Sequence, residues 1–256
     1  QFTDTHLYSD GEGRLLGQNT RQTLELVLEL AHENHRPFDL ILLTGDLVHD
    51  ESPEGYRYLQ RRLSELGTPY RCLPGNHDLT QVMSDTFDGH TLRIESSVRC
   101  GAWNIVLLDS TLPGEEGGHL DTGQLARLQG SLAKRRSDPT LVCLHHQPIP
   151  IGSNWMDTMA LDNPEDFFGI LDRHPQVRGV LWGHVHQEFS GYRGDLMLMG
   201  SPSTCIQFLP GSNDFAIDRQ TPGFRWLNLH PDGRIETGVE RIAAYPDPLC
   251  LTTGGY

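Results

Sequence analysis

The chain has 256 residues, of which 37% are hydrophobic and 21% are charged, a composition typical of a folded domain with a sizeable core. Twenty Lys and Arg residues against 34 Asp and Glu residues give a net charge of −14. This balance argues against a nucleic-acid-binding protein, because gripping a phosphate backbone needs clustered cations. An acidic chain can still bind an anionic substrate if a bound metal ion supplies local positive charge.

The first predicted element is a helix around residues 24–31, in which the apolar side chains share one face. A buried strand follows at 39–44, and a second helix begins at Pro53, with Ser52 as its N-cap, and runs to Leu66. Strands and helices then alternate, with strands at 70–73, 104–108, 140–144 and 179–182 and helices at 124–136 and 165–173. This alternation predicts an α/β fold.

Beyond about residue 183 the pattern changes to short strands and turns. Apolar runs predict strands near 196–199, 205–209 and 224–229, and Asp232-Gly233 predicts a hairpin turn after the last of them. The sequence shows no internal repeat, low-complexity tract or linker. We therefore expect a single domain over residues 1–256, with a β-rich half at 187–256.

Cysteine usage and the lack of long apolar runs bear on location. The five cysteines are scattered, odd in number and without a CxxC pair, which disfavours a disulfide framework and favours a reducing cytoplasm. No apolar run is long enough to span a bilayer, and no signal peptide is visible. Since Gln1 is not a methionine, we expect the start of the first strand to precede it.

Polar residues of metal-ligand type stand directly after five apolar runs. Their sequences are Asp4-Thr5-His6, Thr44-Gly45-Asp46, Gly75-Asn76-His77-Asp78, His145-His146 and Gly183-His184-Val185-His186. In open α/β sheets, the carboxyl ends of the strands converge on one crevice. These side chains offer oxygen and nitrogen atoms without a thiolate, a donor set that suits manganese or iron and can take zinc.

Each of these segments alone has a simpler interpretation. Gly45-Asp46 is most often a turn, Asn76 suits a left-handed turn position, and paired histidines are usually surface residues. The strongest single signal is the segment 183–186, because alternate residues of an extended segment point to the same side. The conjunction of all five segments in this order favours a metal centre over incidental turns.

Together, DTH, GDLVHD, GNHD, HHQP and GHVH resemble the ordered signature of calcineurin-like metallophosphoesterases, and they cover positions 4 to 186. Later segments are similar to the class III bacterial cyclic-AMP phosphodiesterases: GSNWMD at 152–157, SPSTCIQFLP at 201–210, NDF at 213–215, PGFRWLNL at 222–229 and the terminal GGY. The resemblance implies a metallophosphoesterase fold, in which two packed mixed β-sheets are flanked by helices in a four-layer α-β-β-α sandwich.

The resemblance also implies two metal ions that share one carboxylate. One ion is assigned to Asp4, His6, Asp46 and His186, and the other to Asp46, Asn76, His145 and His184. His145 matches the ligand position of the histidine pair, with His146 outside the coordination sphere or facing the substrate; the alternative, His146 as the ligand, is left open by the sequence. Iron and manganese are the expected metals, with zinc or cobalt as alternatives.

The implied reaction is hydrolysis of 3′,5′-cyclic AMP to 5′-AMP, in which a hydroxide between the two metals attacks the phosphate and the 3′ P–O bond breaks. His77 is expected to protonate the leaving oxygen or to hydrogen-bond a phosphoryl oxygen. Asp78 is expected to orient His77. The implied substrate contacts are His6, Asp46, Asn76, His77, His186 and His146.

Two other functions fit parts of the sequence. A glycerophosphodiesterase, or a phosphodiesterase of broader specificity, would carry almost the same motifs. A non-catalytic metal-binding scaffold would keep the fold but usually loses ligands, and all the expected ligands are present here. We expect nucleoside or dimer contacts at 203–208 and 155–157, with simple packing as the alternative. The expected partner is a small cyclic nucleotide, with no nucleic acid and no membrane, and a homo-oligomer is compatible with the sequence but unsupported by it.

Overall fold

The structure is a computed structural model and describes residues 1–87 and 97–250. Helices and strands alternate through this part of the chain. The helices are α1 (Thr20–His35), α2 (Pro53–Leu66), α3 (Thr80–Thr86), α4 (Thr122–Lys134), α5 (Asn154–Asp157) and α6 (Pro164–Leu171). The strands are β1 (Arg14–Leu15), β2 (Gln18–Asn19), β3 (Ile41–Thr44), β4 (Tyr70–Leu73), β5 (Val98–Cys100), β6 (Trp103–Leu107), β7 (Thr140–Cys143), β8 (Val177–Trp182), β9 (Phe189–Arg193), β10 (Leu196–Gly200), β11 (Gln207–Phe208), β12 (Ile217–Asp218), β13 (Gly223–Leu229) and β14 (Ile235–Arg241). The terminal GGY segment lies outside the described residues.

Among the described residues, the larger sheet contains six strands in the order β5-β6-β7-β8-β10-β9. Its central strands β6, β7, β8 and β10 are parallel to one another, and an antiparallel strand lies at each edge. Parallel neighbours present their carboxyl ends at the same edge of a sheet. The chain after β7, with His145, therefore lies beside the turn 183–186 that follows β8, and the Gly183 N–H donates to the His145 carbonyl at 3.2 Å.

A second, less regular sheet faces the first. In it β3 and β4 pair in parallel, and the beginning of the chain runs along β3 through a bridge between Phe2 and Leu43. The β13–β14 hairpin continues on the other side of this segment, where the Arg225 N–H donates to the Gln1 carbonyl at 3.2 Å. Within the described residues, the predicted first strand is thus an isolated bridge rather than a regular strand.

Within residues 1–87 and 97–250, three apolar clusters lie between the four layers of helices and sheets. The cluster between the two sheets includes Leu42, Ile105 and Leu141. The next residues along two of these strands face the opposite way, so that Leu43 joins the cluster under α1 and α2 while Val142 joins the cluster under α4 and α6. Alternation along a strand produces this arrangement, and it confirms the predicted α-β-β-α sandwich.

Most predicted elements agree with the structure to within a few residues. Helix α2 begins as predicted, with the Ser52 hydroxyl accepting a hydrogen bond from the Gly55 N–H at 3.3 Å. The hairpin at 232–233 is confirmed by β13 and β14. The strand predicted at 205–209 is reduced to two residues, because the preceding chain turns toward the first segment and the Thr204 N–H donates to the Thr3 carbonyl at 3.2 Å. No helix within 1–87 and 97–250 is both long and apolar enough to cross a membrane.

Candidate metal centre

Five of the seven predicted ligands adopt a left-handed backbone conformation. Their φ angles are 54° at Asp4, 43° at His6, 53° at Asp46, 65° at His184 and 46° at His186. Residues with a Cβ usually avoid this region, because the Cβ crowds a neighbouring carbonyl oxygen. Such conformations persist where the surrounding structure enforces them, and they concentrate at functional sites. The turns after the strands therefore carry the first structural sign of a site.

Two glycines allow these turns to approach one another. A Cβ on Gly75 would lie 2.1 Å from Asp46 Oδ1, and a Cβ on Gly183 would lie 2.9 Å from Asp4 Oδ2. Both distances are shorter than nonbonded atoms tolerate, so a side chain at either position would displace a carboxylate. The two glycines are thus required by the closeness of the ligands.

The first ligand group contains Asp4, His6 and His186, all buried. The Nε2 atoms of His6 and His186 lie 3.2 Å apart, and His186 Nε2 is 3.4 Å from Asp4 Oδ1. Asp46 Oδ2 approaches this group at 3.8 Å from His6 Nε2. Two nitrogens bonded to one metal at about 2.1 Å lie about 3 Å apart, and the observed spacings match that geometry.

The second ligand group contains Asn76, His145 and His184. His145 Nε2 lies 3.4 Å from Asp46 Oδ1 and 3.2 Å from Asn76 Oδ1, and the rings of His145 and His184 are 5.0 Å apart. Among the described residues, no hydrogen-bond partner is present for the buried Nε2 of His184. An unsatisfied buried nitrogen is costly, and a metal ion would satisfy it.

Asp46 belongs to both groups, with Oδ2 toward the first and Oδ1 toward the second. The structure therefore brings together all seven ligands predicted from the sequence. Their donor atoms are carboxylate and amide oxygens and imidazole nitrogens, which fit two divalent ions. Two divalent ions held by two carboxylates would give the centre a positive charge, which would attract a phosphate despite the acidic composition.

Backbone carbonyls hold two of the histidine ligands in a fixed orientation. Nδ1 of His145 donates to the Thr44 carbonyl at 2.7 Å, and Nδ1 of His186 donates to the Ile206 carbonyl at 2.9 Å. Such bonds fix the ring tautomer and leave Nε2 for a metal.

Burial and neighbouring charges shift the pKa values of the ligands. Burial lowers the pKa of His184 well below its usual value, and repulsion from His146 and His145 adds to the effect. Burial also disfavours charged His145, but attraction to Asp46 outweighs it and raises the pKa of His145 to about 9. Burial opposes ionisation of Asp46 as well, yet His145 and the other imidazoles hold its pKa well below the usual range. Asp46 is therefore a carboxylate, the form that binds metals.

His77 and Asn76 lie at the open side of the centre, where both are half-buried. The backbone N–H of His77 donates to Asp46 Oδ1 at 3.0 Å, which ties the residue to the shared carboxylate. Its ring lies edge-on to His6 at 5.1 Å and stacks on His49 at 4.9 Å. The imidazole is thus beside the ligand groups, as a proton donor to bound substrate must be.

Asp78 lies behind the ligand turns. Its carboxylate accepts hydrogen bonds of 2.8 to 3.1 Å from the backbone N–H groups of Leu47, Val48 and Gly75 and from the Tyr56 hydroxyl. Burial and the charge of Asp46 raise the pKa of Asp78 to about 6. These four donors tie the Asp46 turn to the Gly75 turn, and none of them belongs to His77. The orientation of His77 by Asp78 stays a prediction.

His146 is fully buried, and both of its ring nitrogens lie near protein groups. Nδ1 is 2.8 Å from the Ser110 hydroxyl and Nε2 is 3.2 Å from the Glu116 carbonyl. His145 instead directs Nε2 to Asp46 and Asn76. Because donor atoms of His145, His146 and His184 also lie within 4.8 Å of one another, the choice of His145 over His146 as the ligand stays a prediction. Contact between His146 and substrate stays a prediction.

The segment 203–208 packs behind the ligands. The Ser203 hydroxyl donates to the Asp4 carbonyl at 2.7 Å, and the Phe208 ring stacks on His186 at 4.1 Å. All six residues are buried, which favours the packing alternative over nucleoside contacts. Trp155 is half-buried and packs edge-on against Phe208 at 5.0 Å, and a nucleoside or dimer contact at 155–157 stays a prediction.

Three residues around the centre were not predicted, namely His49, Tyr56 and Ser110. His49 belongs to the GDLVHD motif. A histidine three residues after the predicted ligand Asp46 could therefore have been predicted to lie at the centre. Tyr56 lies in α2 and Ser110 in the loop after β6, and nothing in their local sequence links them to the centre.

The calcineurin-like phosphoesterase family matches residues 1–188, a range that contains all seven predicted ligands. The chain belongs to this family, which confirms the resemblance drawn from the motifs. A dimetal phosphatase from Danio rerio shares the fold, with a TM-score of 0.65, 12% identity and coverage of 98% of each chain.

Among curated proteins, the 3′,5′-cyclic adenosine monophosphate phosphodiesterase CpdA of Pseudomonas aeruginosa is 44% identical over 256 residues, which cover 100% of this chain and 94% of that protein. A 3′,5′-cyclic-nucleotide phosphodiesterase of Nostoc sp. is 39% identical over 242 residues, which cover 94% of this chain and 91% of that protein. The similarity thus extends beyond the metal ligands to the β-rich half.

Proposed function

We propose that this protein hydrolyses 3′,5′-cyclic AMP to 5′-AMP at a binuclear metal centre. The observation that carries the proposal is the pair of ligand groups that share Asp46, in which the donor atoms of neighbouring residues lie 3.2 to 3.8 Å apart. The full-length similarity to the cyclic AMP phosphodiesterase of P. aeruginosa supports the choice of substrate.

The ligands divide between two ions. Asp4, His6, Asp46 and His186 would hold one ion, and Asp46, Asn76, His145 and His184 would hold the other. When bound, such ions supply Lewis acidity toward the phosphate and make a nucleophile available from water near neutral pH. We propose iron or manganese, because the donors are oxygens and imidazoles, with zinc or cobalt as alternatives.

In this proposal His77 is the proton donor to the leaving 3′ oxygen. Its backbone is anchored to Asp46 Oδ1 and its ring is stacked on His49, so the imidazole is held at the open side of the centre. As a water oxygen adds to phosphorus and the 3′ P–O bond breaks, His77 gives a proton to the 3′ oxygen. One proton of the water stays on the oxygen that adds to phosphorus, and the other reprotonates His77. The net reaction therefore adds one water molecule to the substrate. The proposed substrate contacts are His6, Asp46, Asn76, His77, His186 and His146.

The setting of the enzyme is also part of the proposal. The five free cysteines support a reducing cytoplasm. The acidic composition supports a small-molecule substrate without a nucleic-acid or membrane partner. The single domain over residues 1–256 stays a prediction.

A substrate panel with the manganese-loaded protein tests the proposal. Cyclic AMP, cyclic GMP, 2′,3′-cyclic AMP and a glycerophosphodiester are compared at equal concentration, with chelator-treated protein as the control. We expect metal-dependent formation of 5′-AMP from cyclic AMP. Predominant cleavage of the glycerophosphodiester would overturn the substrate, and no metal-dependent turnover of any compound would point to a non-catalytic scaffold.

A further inference from the structure

His6 differs from two other histidine ligands in the partner of its Nδ1 atom. His145 and His186 direct Nδ1 to backbone carbonyls, whereas Nδ1 of His6 lies 3.1 Å from Nδ1 of His49. A carbonyl always accepts, but an imidazole nitrogen accepts only when its proton is on the other nitrogen. The orientation of His6 therefore depends on a side chain, which mutation can remove.

The direction of this hydrogen bond follows from the ring nitrogen that faces the centre. Nε2 of His6 points to the ligand group, 3.2 Å from Nε2 of His186. A metal on Nε2 leaves the proton of the neutral ring on Nδ1, where it must be donated. His49 Nδ1 is then the acceptor, and His49 carries its own proton on Nε2.

His49 also contacts His77. The two rings lie 4.9 Å apart with an angle of 23° between their planes, and the Tyr8 ring lies 5.1 Å from His49. The backbone holds His49 in this place, because its N–H donates to the Leu7 carbonyl at 2.7 Å. One half-buried side chain therefore lies against both a metal ligand and the proposed proton donor.

We propose that His49 is a positioning residue for this site: it accepts the Nδ1 hydrogen bond of His6 and its ring holds that of His77. The inference rests on the proposed binuclear centre. It assigns His49 no contact with the reacting atoms and no coordination of a metal. Its two contributions can be separated, because the acceptor atom and the flat ring can be replaced independently.

Two substitutions separate these contributions. His49→Phe keeps a ring against His77 but removes the acceptor, and we expect about 10–100-fold weaker binding of the ion held by His6. His49→Asn keeps an acceptor near the position of Nδ1 but removes most of the ring. We expect it to retain two ions and to lose about 10-fold or more in kcat, with little change in KM, because His77 is less well placed.

Metal content is measured after equilibration with a chelator, and kcat and KM are measured at saturating manganese. His32→Phe and His32→Asn are matched controls, because His32 is exposed on α1. Thermal unfolding of the metal-free proteins separates loss of fold from loss of metal. Wild-type protein that binds no metal would contradict the proposed function itself, whereas variants that match the wild type would contradict only the role of His49.

Two results would overturn the role assigned to His49. In the first, His49→Phe holds both ions as tightly as the wild type and His49→Asn turns over as fast. In the second, the wild type binds three ions and His49→Phe binds two. His49 would then be a ligand itself, as the approach of donor atoms from His6, His49 and His77 within 4.8 Å permits.

Discussion

The two ligand groups share a carboxylate but differ in access and in support. In the first group Asp4, His6 and His186 are each at most 1% exposed. The second group includes Asn76, a neutral amide that is half-buried and lies next to His77. The first group is thus built from buried side chains only, while the second includes one half-buried ligand at the open side of the centre. From this comparison we predict that the two ions differ in how readily they are released.

Both groups draw their ligands from both sheets. Asp4 and His6 come from the chain that runs along β3, and His186 follows β8 in the opposite sheet. Asn76 follows β4, whereas His145 follows β7 in the other sheet. The spacing of each group therefore depends on how the two sheets pack, and each bound ion would join them.

Of the substitutions considered, replacement of Asp46, which belongs to both ligand groups, is expected to have the largest effect on metal binding and turnover. Asp46→Asn removes the charge of the only residue placed in both groups, so we expect both ions and all metal-dependent turnover of cyclic AMP to be lost. Metal analysis and a phosphodiesterase assay measure this. Asp166→Asn, at an exposed position in α6, is the matched control. Retention of two ions per chain by Asp46→Asn would show that the groups do not share this carboxylate.

His77 belongs to neither ligand group, and its replacement should separate chemistry from metal binding. We expect His77→Ala to keep both ions and to lower kcat by about 10²–10⁴-fold, because the leaving oxygen lacks its proton donor. Steady-state kinetics with parallel metal analysis checks this. A variant that lost metal yet kept its rate per loaded enzyme would contradict the assigned role.

Metal release tests the difference in access directly. We expect a chelator to remove the two ions in two phases, with the ion held by Asn76 leaving first. Asn76→Ala should accelerate the fast phase about 10-fold and leave the slow phase unchanged, because it removes one oxygen donor from the open group only. Stopped-flow chelation with a metal-sensitive dye follows both phases. A single phase for the wild-type protein would remove the distinction between the groups.

The smallest effect is expected from loss of a hydrogen bond to Asp78, whose carboxylate joins the Asp46 turn to the Gly75 turn. Tyr56→Phe removes one of its four donors, and the loss of a buried hydrogen bond to a carboxylate should lower the free energy of unfolding by about 1–2 kcal/mol. Urea unfolding of the metal-free protein measures this change. Tyr192→Phe is the control, since Tyr192 is 71% exposed. Equal stability of the two variants would mean that the hydrogen bond from the Tyr56 hydroxyl to Asp78 does not stabilise the fold.

The ligand set could be predicted because each member is encoded locally. Asp4, Asp46, Asn76, His145 and His184 each stand just after an apolar run, and such runs form strands whose carboxyl ends converge. The sequence also placed the ends of α2 and the β13–β14 hairpin, since caps and turns depend on neighbouring residues. For these features, the information lies within a few positions of the residue concerned.

The partners of the ligands were decided only by the tertiary structure. Asp78 accepts from Leu47 and Tyr56, which lie 31 and 22 residues away, and His49 meets His6 across 43 residues. The burial of 203–208 likewise follows from the closing of one sheet over the other. These contacts depend on layers that form only when the whole core packs, so adjacent residues do not encode them. By itself the sequence determined which atoms could bind metal and phosphate, and packing decided what holds those atoms in place.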